Sequence, residues 1–540
     1  MVWRREDPEG NESLKIRWEL VPYTRGQTLD IGCGGIKPFK HFIGVDNYRD
    51  CALFGNPVHP DMVMDADNLS MISDQSMDSV FSSHLLEHIE DFRKALKEWW
   101  RVIKPNGYLV LYLPHKDLYP NIGQEGSNPD HKHDFTPQEI VGAMVSVGSW
   151  DLVRNENRSE GREYSFFQVY KKLRGTHHAY SHLTPKAKKR AGVVRYGAIG
   201  DLLQASSVFA GLKAQGYHVT VHTSPPQDSV IQHDPNVDEI ILQGKDQVPN
   251  TELCQFWKTL KPKYDKFINL SESVEGSLLA LKDRTPFDWT PLARHNYCNK
   301  NYLQQTHEMA GVPHKPRVRF YATPEERQWA REFRAKSGAD YLIMWALAGS
   351  GCHKTWPYVD NVVASLMLHH PKTHVVMVGD AFCKILEAGW ENEERVHRTS
   401  GEMDIRKTLS LVDVVDCIVG PETGVLNAAS CLAIPKLVFL SHSTHENLTR
   451  DWENVFPLYA ENVTCAGRGE NEAPACHQLH YGWDTCTKDF DDNCHDCKAW
   501  RTKAPMCGHT QTAVCQAAIK PERVTEILFR LIEEKARKAA

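Results

Sequence analysis

Short apolar runs recur along this chain, several of them closed by a glycine or an acidic residue, and they alternate with amphipathic stretches, a rhythm that restricts it to α/β architectures. TLDIG, FIGVD, DSVFSS and YLVLYLP, with the helical stretch EDFRKALKEWWRVI among them, form one series between about Gln27 and Lys172. A second series opens at AGVVRYGAIGD (191–201) and runs to about Arg319. A third opens at YLIMWALAGSG (341–351) and ends in a charged helix, PERVTEILFRLIEEKARK. All the runs are far shorter than the roughly 18 residues of a membrane span, so they read as buried parallel strands. A chain of 540 residues also exceeds the size at which one hydrophobic core stops growing, roughly 250–300 residues. The predicted organisation is therefore a doubly wound parallel-sheet domain over 1–172, a linker over 173–190, and two further α/β parts over 191–335 and 336–540. The linker assignment rests on LRGTHHAYSHLTPKAKKR, which is rich in His, Lys and Arg and has no apolar period.

The formal net charge of −6 argues against a nucleic-acid binder, because affinity for a phosphate backbone requires a strongly basic face. Only the short run KAKKR (186–190) points the other way. The first fifteen residues are highly charged and lack the apolar centre of a secretory signal, so a cytoplasmic location is expected. That expectation is compatible with peripheral association with a membrane.

TLDIGCGG puts Asp30 at the end of a strand, followed by Gly32, Gly34 and Gly35. Such a turn lets backbone amides approach a ligand at the carboxyl end of a parallel sheet. The dinucleotide pattern G-x-G-x-x-G is not met, since Lys37 stands at its third glycine. The next strand ends in Asp46, and a third carboxylate follows at Asp65 in MVMDADNL. With DSVFSSHLLEHI (78–89) and RVIKPNGYLVLYLP (101–114), this order resembles the class I S-adenosylmethionine (SAM)-dependent methyltransferases over roughly the first 170 residues. The resemblance implies SAM as cofactor, held by Asp30, Gly32, Gly34, Asp46 and Asp65, with Asp46 on the ribose hydroxyls and Asp65 on the adenine amino group. Methyl transfer to a hydroxyl or amine needs a base, and His84, His115 and His133 at the ligand end of the sheet are its candidates, with His131 in the same DHKHDF loop. His88 falls inside the helix expected to start at LLEHI and reads as structural. His131, His133 and Asp134 form only a weak metal pattern.

In VVRYGAIGDLLQASS, Asp201 sits at a glycine turn between a strand and a helix. A helix N-cap is the ordinary reading of a lone Asp there. ALAGSGCHKTWP (346–357) carries Ser350, Lys354 and Trp356 after a later strand, and VGPETGVLNAAS (419–430) places Glu422, Thr423 and Gly424 just before a helix whose amides would attract phosphate. Together these motifs resemble the ADP-heptose:lipopolysaccharide heptosyltransferase family over roughly 191–540. That resemblance implies a GT-B glycosyltransferase of two Rossmann-like halves after the Rossmann-like methyltransferase domain, inverting and metal-independent, using a nucleotide-sugar donor of the ADP-heptose kind. It implies Asp201 as the acceptor-activating base, Lys354 on the departing diphosphate, and Ser350, Glu422, Thr423 and Gly424 in the donor site. Glu422 stands where many relatives have Asp, a longer carboxylate that would still reach a ribose.

Seven of the fifteen cysteines lie between Cys465 and Cys515. Cys476, Cys486, Cys494, Cys497, Cys507 and Cys515, with the CHDC pair at their centre, are candidate ligands of a structural zinc or an iron-sulfur site. Reduced or redox-active thiols are the alternative. The functional expectation is a bifunctional transferase that glycosylates and methylates a glycan or glycolipid acceptor in surface-glycan or lipopolysaccharide assembly. Two alternatives stand beside it: a glycosyltransferase with a non-catalytic SAM-binding module, and a nucleic-acid-modifying transferase.

Overall fold

The computed structural model describes residues 12–48, 57–161, 163–184, 189–244, 247–272, 300–349, 354–441, 443–460 and 514–539. The chain divides into two compact units, one of residues 1–188 with 242–249, the other of 189–241 with 250–540. The mixed α/β class expected from the sequence is the observed one.

The first unit is built on one eight-stranded sheet. Its strands are β1 (Thr28–Ile31), β2 (Ile43–Asp46), β3 (Met62–Val63), β4 (Met77–Ser83), β5 (Ile103–Pro114), β6 (Trp150–Arg158), β7 (Ser165–Lys172) and β8 (His178–Ala179), in the order β3-β2-β1-β4-β5-β7-β6-β8. The five strands from β3 to β5 run parallel, and β7 closes against β5 antiparallel. Strand β1 is buried throughout, and so is the YLVLYLP end of β5 apart from Leu109's neighbour Tyr108 and Lys104–Asn106 nearer its start, as suits strands covered on both faces. Helix α1 (Phe92–Val102) begins where the Asp91 side chain accepts from the Lys94 amide. It lays Ala95, Leu96, Trp99 and Val102 onto the sheet, with the Trp99 indole donating to the Ala66 carbonyl. Helix α2 (Pro137–Met144) opens with a full capping box between Thr136 and Glu139.

Two sequence expectations change here. The helix expected to start at LLEHI is only a 3-10 turn, Leu86–His88, followed by extended backbone at Ile89. The Glu87 carbonyl explains this, since it accepts from the Lys132 and His133 amides of a distant loop rather than from the next helical turn. The segment read as a linker also carries structure. His178 and Ala179 pair with β6, the His178 ring stacks on Trp150, and Ser181 donates to Asp151 from both its amide and its hydroxyl.

The second unit holds two parallel sheets. The first orders β9 (Arg190–Val194), β10 (His218–Thr223), β11 (Glu239–Leu242) and β12 (Lys266–Asn269) as β11-β10-β9-β12. The other orders β13 (Tyr341–Ala346), β14 (Thr373–Val378), β15 (Val396–Arg398), β16 (Cys417–Pro421), β17 (Lys436–Phe439) and β18 (Val455–Leu458) as β15-β14-β13-β16-β17-β18. These are the two Rossmann-like halves. Helix α3 (Ile199–Ser206) follows β9, and α4 (Gly424–Ala429) follows β16. Helix α5 (Val359–His369) and the C-terminal helix α6 (Pro521–Ala539) share a core in which Val362, Val363 and Leu366 meet Val524 and Leu528. No helix among the described residues is long and apolar enough to cross a membrane.

Candidate active sites

At the carboxyl ends of β1 and β2, the chain turns through Gly32 and Gly34, both at positive φ (74° and 54°). A Cβ on Gly32 would stand 2.7 Å from the Leu85 side chain, whereas the space over Gly34 is open. Glycine at the first position thus admits the segment after β4, and at the second it bares the backbone. Asp46 fixes the turn: its Oδ2 accepts from the Gly34 amide at 3.0 Å, and its Oδ1 accepts from the Asn47 amide at 2.8 Å. Asn47 in turn donates to Asp65 at 2.8 Å. Asp46 and Asp65 therefore belong to one polar string, joined by an asparagine that sequence reasoning missed although it lies beside Asp46.

Asp30 is buried beneath this turn, and its Oδ2 meets no hydrogen-bond partner. Burial pushes its carboxyl up to about 8, with the nearby Asp46 adding to the rise and Lys37 opposing it. An orphaned buried carboxylate, an open glycine and two outer carboxylates fit a cationic nucleoside such as SAM. Lys37 does not point to a ligand; it donates to Asp61 and to the Phe42 carbonyl.

The three histidines expected as bases all have partners in the fold. His84 Nε2 lies 2.8 Å from Ser165 Oγ, and burial with nearby cationic groups drives its imidazole down to about 3, a poor proton acceptor. His115 Nδ1 accepts from the Asp117 amide, which ties it to its own turn. His133 Nε2 stands 3.1 Å from both the Ile89 and Glu90 carbonyls, closing the loop over the 3-10 turn. Asp134, considered with them as a metal ligand, accepts from the Ile122 amide instead. A different grouping forms beside them, Glu87 with His88 and His131. Burial pushes the Glu87 carboxyl up to about 8 and, with His88 adding, lowers His131 to about 4. The adjacent acid and imidazole in LLEHI were the available signal for it.

In the second unit, Asp201 lies in the first turn of α3 and reaches back, Oδ2 accepting from the Ala198 amide at 2.7 Å. Its Oδ1 lies 3.3 Å from Arg195 Nη2, an arginine buried at the end of β9. A Cβ on Gly197, where φ is 130°, would stand 2.6 Å from that carboxylate, so glycine is required for the fold-back. The start of α3 meets the start of α4: Gln204 donates to Asn427, and Gly200 faces Gly424. Thr423 precedes α4 with a buried hydroxyl that has no hydrogen-bond partner. Glu422, expected on a ribose, is instead engaged inside the half. Its Oε1 accepts from the Ser441 and Ser443 amides and its Oε2 from the Ser443 hydroxyl, so the longer side chain braces the loop after β17. The Lys354 stem lies over Gly349, while Trp356 is a core residue stacked on Phe439 and donating to the Ile519 carbonyl. Ser350, Cys476, Cys486, Cys494, Cys497 and Cys507 lie outside the described residues, as does the side chain of Cys515.

Residues 29–111 match the family model described as a methyltransferase domain. The matched stretch contains Asp30, the glycine turn, Asp46, Asp65 and the 3-10 turn. No curated protein matches the chain. Among solved structures, the glycosyl transferase family 9 protein of Veillonella parvula is 15% identical, with 64% of this chain and 98% of that one covered at a TM-score of 0.45. The ADP-heptose lps heptosyltransferase II of E. coli is 14% identical, covering 64% and 99% at a TM-score of 0.44. An S-adenosylmethionine dependent methyltransferase of Mesorhizobium loti is 16% identical, covering 30% and 99% at a TM-score of 0.24.

Proposed function

We propose that the chain carries two transferase sites, a SAM-dependent methyl-transfer site in its first unit and an inverting, metal-independent glycosyl-transfer site in its second. The observation that carries the first is the string Gly34–Asp46–Asn47–Asp65 beside buried Asp30, whose Oδ2 has no hydrogen-bond partner, all within the stretch that matches a methyltransferase domain. For the second, the support is the approach of two helix starts, one bearing Asp201 and the other Thr423 and Gly424. In this reading Asp201 takes the proton of the acceptor hydroxyl, Thr423 and the Gly424 amide hold donor phosphate, and Lys354 offsets charge on the departing diphosphate. Glu422 acts through the loop that it braces. The acceptor is a glycan or glycolipid, and tethering both sites in one chain raises the local concentration of one product at the other site.

Native mass spectrometry of the full-length protein, challenged with SAM and a panel of nucleotide sugars, tests both halves. The expected result is retention of one SAM and one nucleotide sugar per chain, with slow hydrolysis of the sugar nucleotide. Retention of neither would overturn the proposal, and retention of SAM without methyl transfer to any glycosylated product would reduce the first unit to a binding module.

A further inference from the structure

The 3-10 turn Leu86–His88 follows β4 and lies beside the glycine turn, because Leu85 packs on Gly32. Within it, Glu87 is completely buried, and neither carboxylate oxygen has a hydrogen-bond partner. A buried carboxylate left so is costly, since a polar group taken from water without a replacement partner loses its hydration, and a charged one loses most. Two imidazoles face it. His88 Nε2 stands 3.8 Å from Glu87 Oε1, and His131 Nε2 stands 4.0 Å from the same oxygen. One donor atom from each of the three residues lies within 4.8 Å of the others.

The surroundings are those of a built site. His88 Nδ1 lies 3.3 Å from Asp130 Oδ2, which orients the ring and leaves Nε2 toward Glu87, the arrangement of a carboxylate supporting a metal-binding histidine. The loop that delivers Asp130 and His131 is pinned to the turn by the Lys132 and His133 amides on the Glu87 carbonyl. The His131 ring is packed against Tyr119 and against the edge of His88.

We propose that Glu87, His88 and His131 form a binding site for one divalent first-row transition ion, zinc or a metal of similar preference, with Asp130 positioning His88. Two imidazoles and one carboxylate suit such an ion and leave coordination positions open. Bonds of roughly 2.0–2.2 Å place tetrahedral ligand atoms about 3.4 Å apart, so the Glu87–imidazole distances need to close by about half an ångström and no pair by more than about 1.4 Å. The open positions take an oxygen ligand, water or an acceptor hydroxyl. The ion-binding site stands independently of the methyl-transfer reading; only the acceptor hydroxyl as its ligand rests on that reading.

The test uses full-length protein without an affinity tag, stripped with a chelator and titrated with Co²⁺ while visible absorption is recorded. The expected result is one equivalent of Co²⁺ with visible ligand-field bands and without the intense near-ultraviolet transitions of thiolate ligation, which separates this site from the cysteine-rich segment. Glu87→Gln and His131→Gln should each weaken that uptake by about 100-fold or more, and Asp130→Asn by about 10- to 100-fold. Melting curves identify any variant that fails to fold, and His88→Gln, at the least buried of the three ligands, then provides the same reading. Absence of thiolate-free uptake in the wild type, or unchanged uptake in the folded variants, overturns the site. SAM affinity measured calorimetrically on the same samples separates the two proposals: Co²⁺ uptake without SAM binding removes the methyl-transfer reading and leaves the ion site standing.

Discussion

Asp30 shows how one residue can be read correctly for place and incompletely for state. Its position at the end of an apolar run was legible because a strand followed by glycine leaves few other conformations. Its burial was not, because that depends on Lys37 turning away to Asp61 and on Asp46 closing the turn above it. A carboxyl pushed by burial from 3.8 up to about 8 binds a proton in the folded state that the unfolded chain releases. The associated stability is therefore fully present below about pH 4 and is lost as pH rises through about 8. His84 acts in the opposite sense: with its value lowered from 6.5 to about 3, its contribution is present above about pH 6.5 and fades as pH falls toward 3. Asp30→Asn should accordingly flatten the decline in melting temperature between pH 5 and 8 in SAM-free protein, and parallel wild-type and variant profiles would remove the burial argument. Asp201 carries a different ambiguity, since its bonds to the Ala198 amide and Arg195 are also those of a helix-start carboxylate. Asp201→Asn should abolish sugar transfer while leaving donor affinity unchanged and stability within about 1 kcal/mol. A variant that melts earlier but still transfers sugar would make Asp201 a cap and nothing more.

At the scale of elements, what the sequence exposes is periodicity, and what it hides is any bond whose partner lies far along the chain. Strands β1, β2 and β4 and helix α1 were legible because each is a short apolar run or stripe, and α1 also carries its own cap at Asp91. The turn at Leu86–His88 was misread as helix because the competing partners of the Glu87 carbonyl come from Lys132 and His133. The same distance hid the cluster of Glu87, His88 and His131, whose members are separated by a strand and a helix. Helix contact between α3 and α4 is likewise invisible in either motif alone. A Cβ at Gly200 would stand 2.6 Å from Asn427 Nδ2 and 3.5 Å from Gly424. Gly200→Ala gains helix propensity, yet overpacking at a close contact costs about 1–3 kcal/mol. The variant should therefore unfold at lower denaturant concentration and lose glycosyl transfer. Adding Asn427→Ala should restore part of the stability, a coupling that a double-mutant cycle reads directly; strictly additive effects would mean that the two helix starts do not press on each other.

For the whole molecule, linear domain boundaries are the least that a sequence can supply, since contacts need not respect chain order. The eight residues 242–249 belong to the first compact unit although they run on from β11, the third strand of the second unit in chain order, and share Leu242 with it. Within that unit, buried Gln247 donates to the Val21 carbonyl at 2.8 Å and accepts from the Gly244 amide through Oε1. No apolar period marks this segment, because its hold is largely polar, with Val248 buried beside Gln247. Two consequences follow for a chain with the two proposed sites. Asp46→Ala removes the carboxylate that fixes the glycine turn, so SAM affinity should fall by about tenfold or more while nucleotide-sugar affinity is unchanged; a matching loss in both would mean global destabilisation rather than a local defect. Removing the polar hold itself should act on the first unit from outside its continuous stretch. Gln247→Ala leaves the Val21 carbonyl without this donor, which costs about 1–3 kcal/mol for a buried group. Hydrogen exchange of the full chain should therefore quicken over Arg17–Tyr23 and the β1 end of the first sheet, with the amides of β13 to β17 unaffected. Unchanged exchange near Val21 would show that 242–249 contributes nothing to that unit, and would return its boundary to the continuous segment that the sequence suggests.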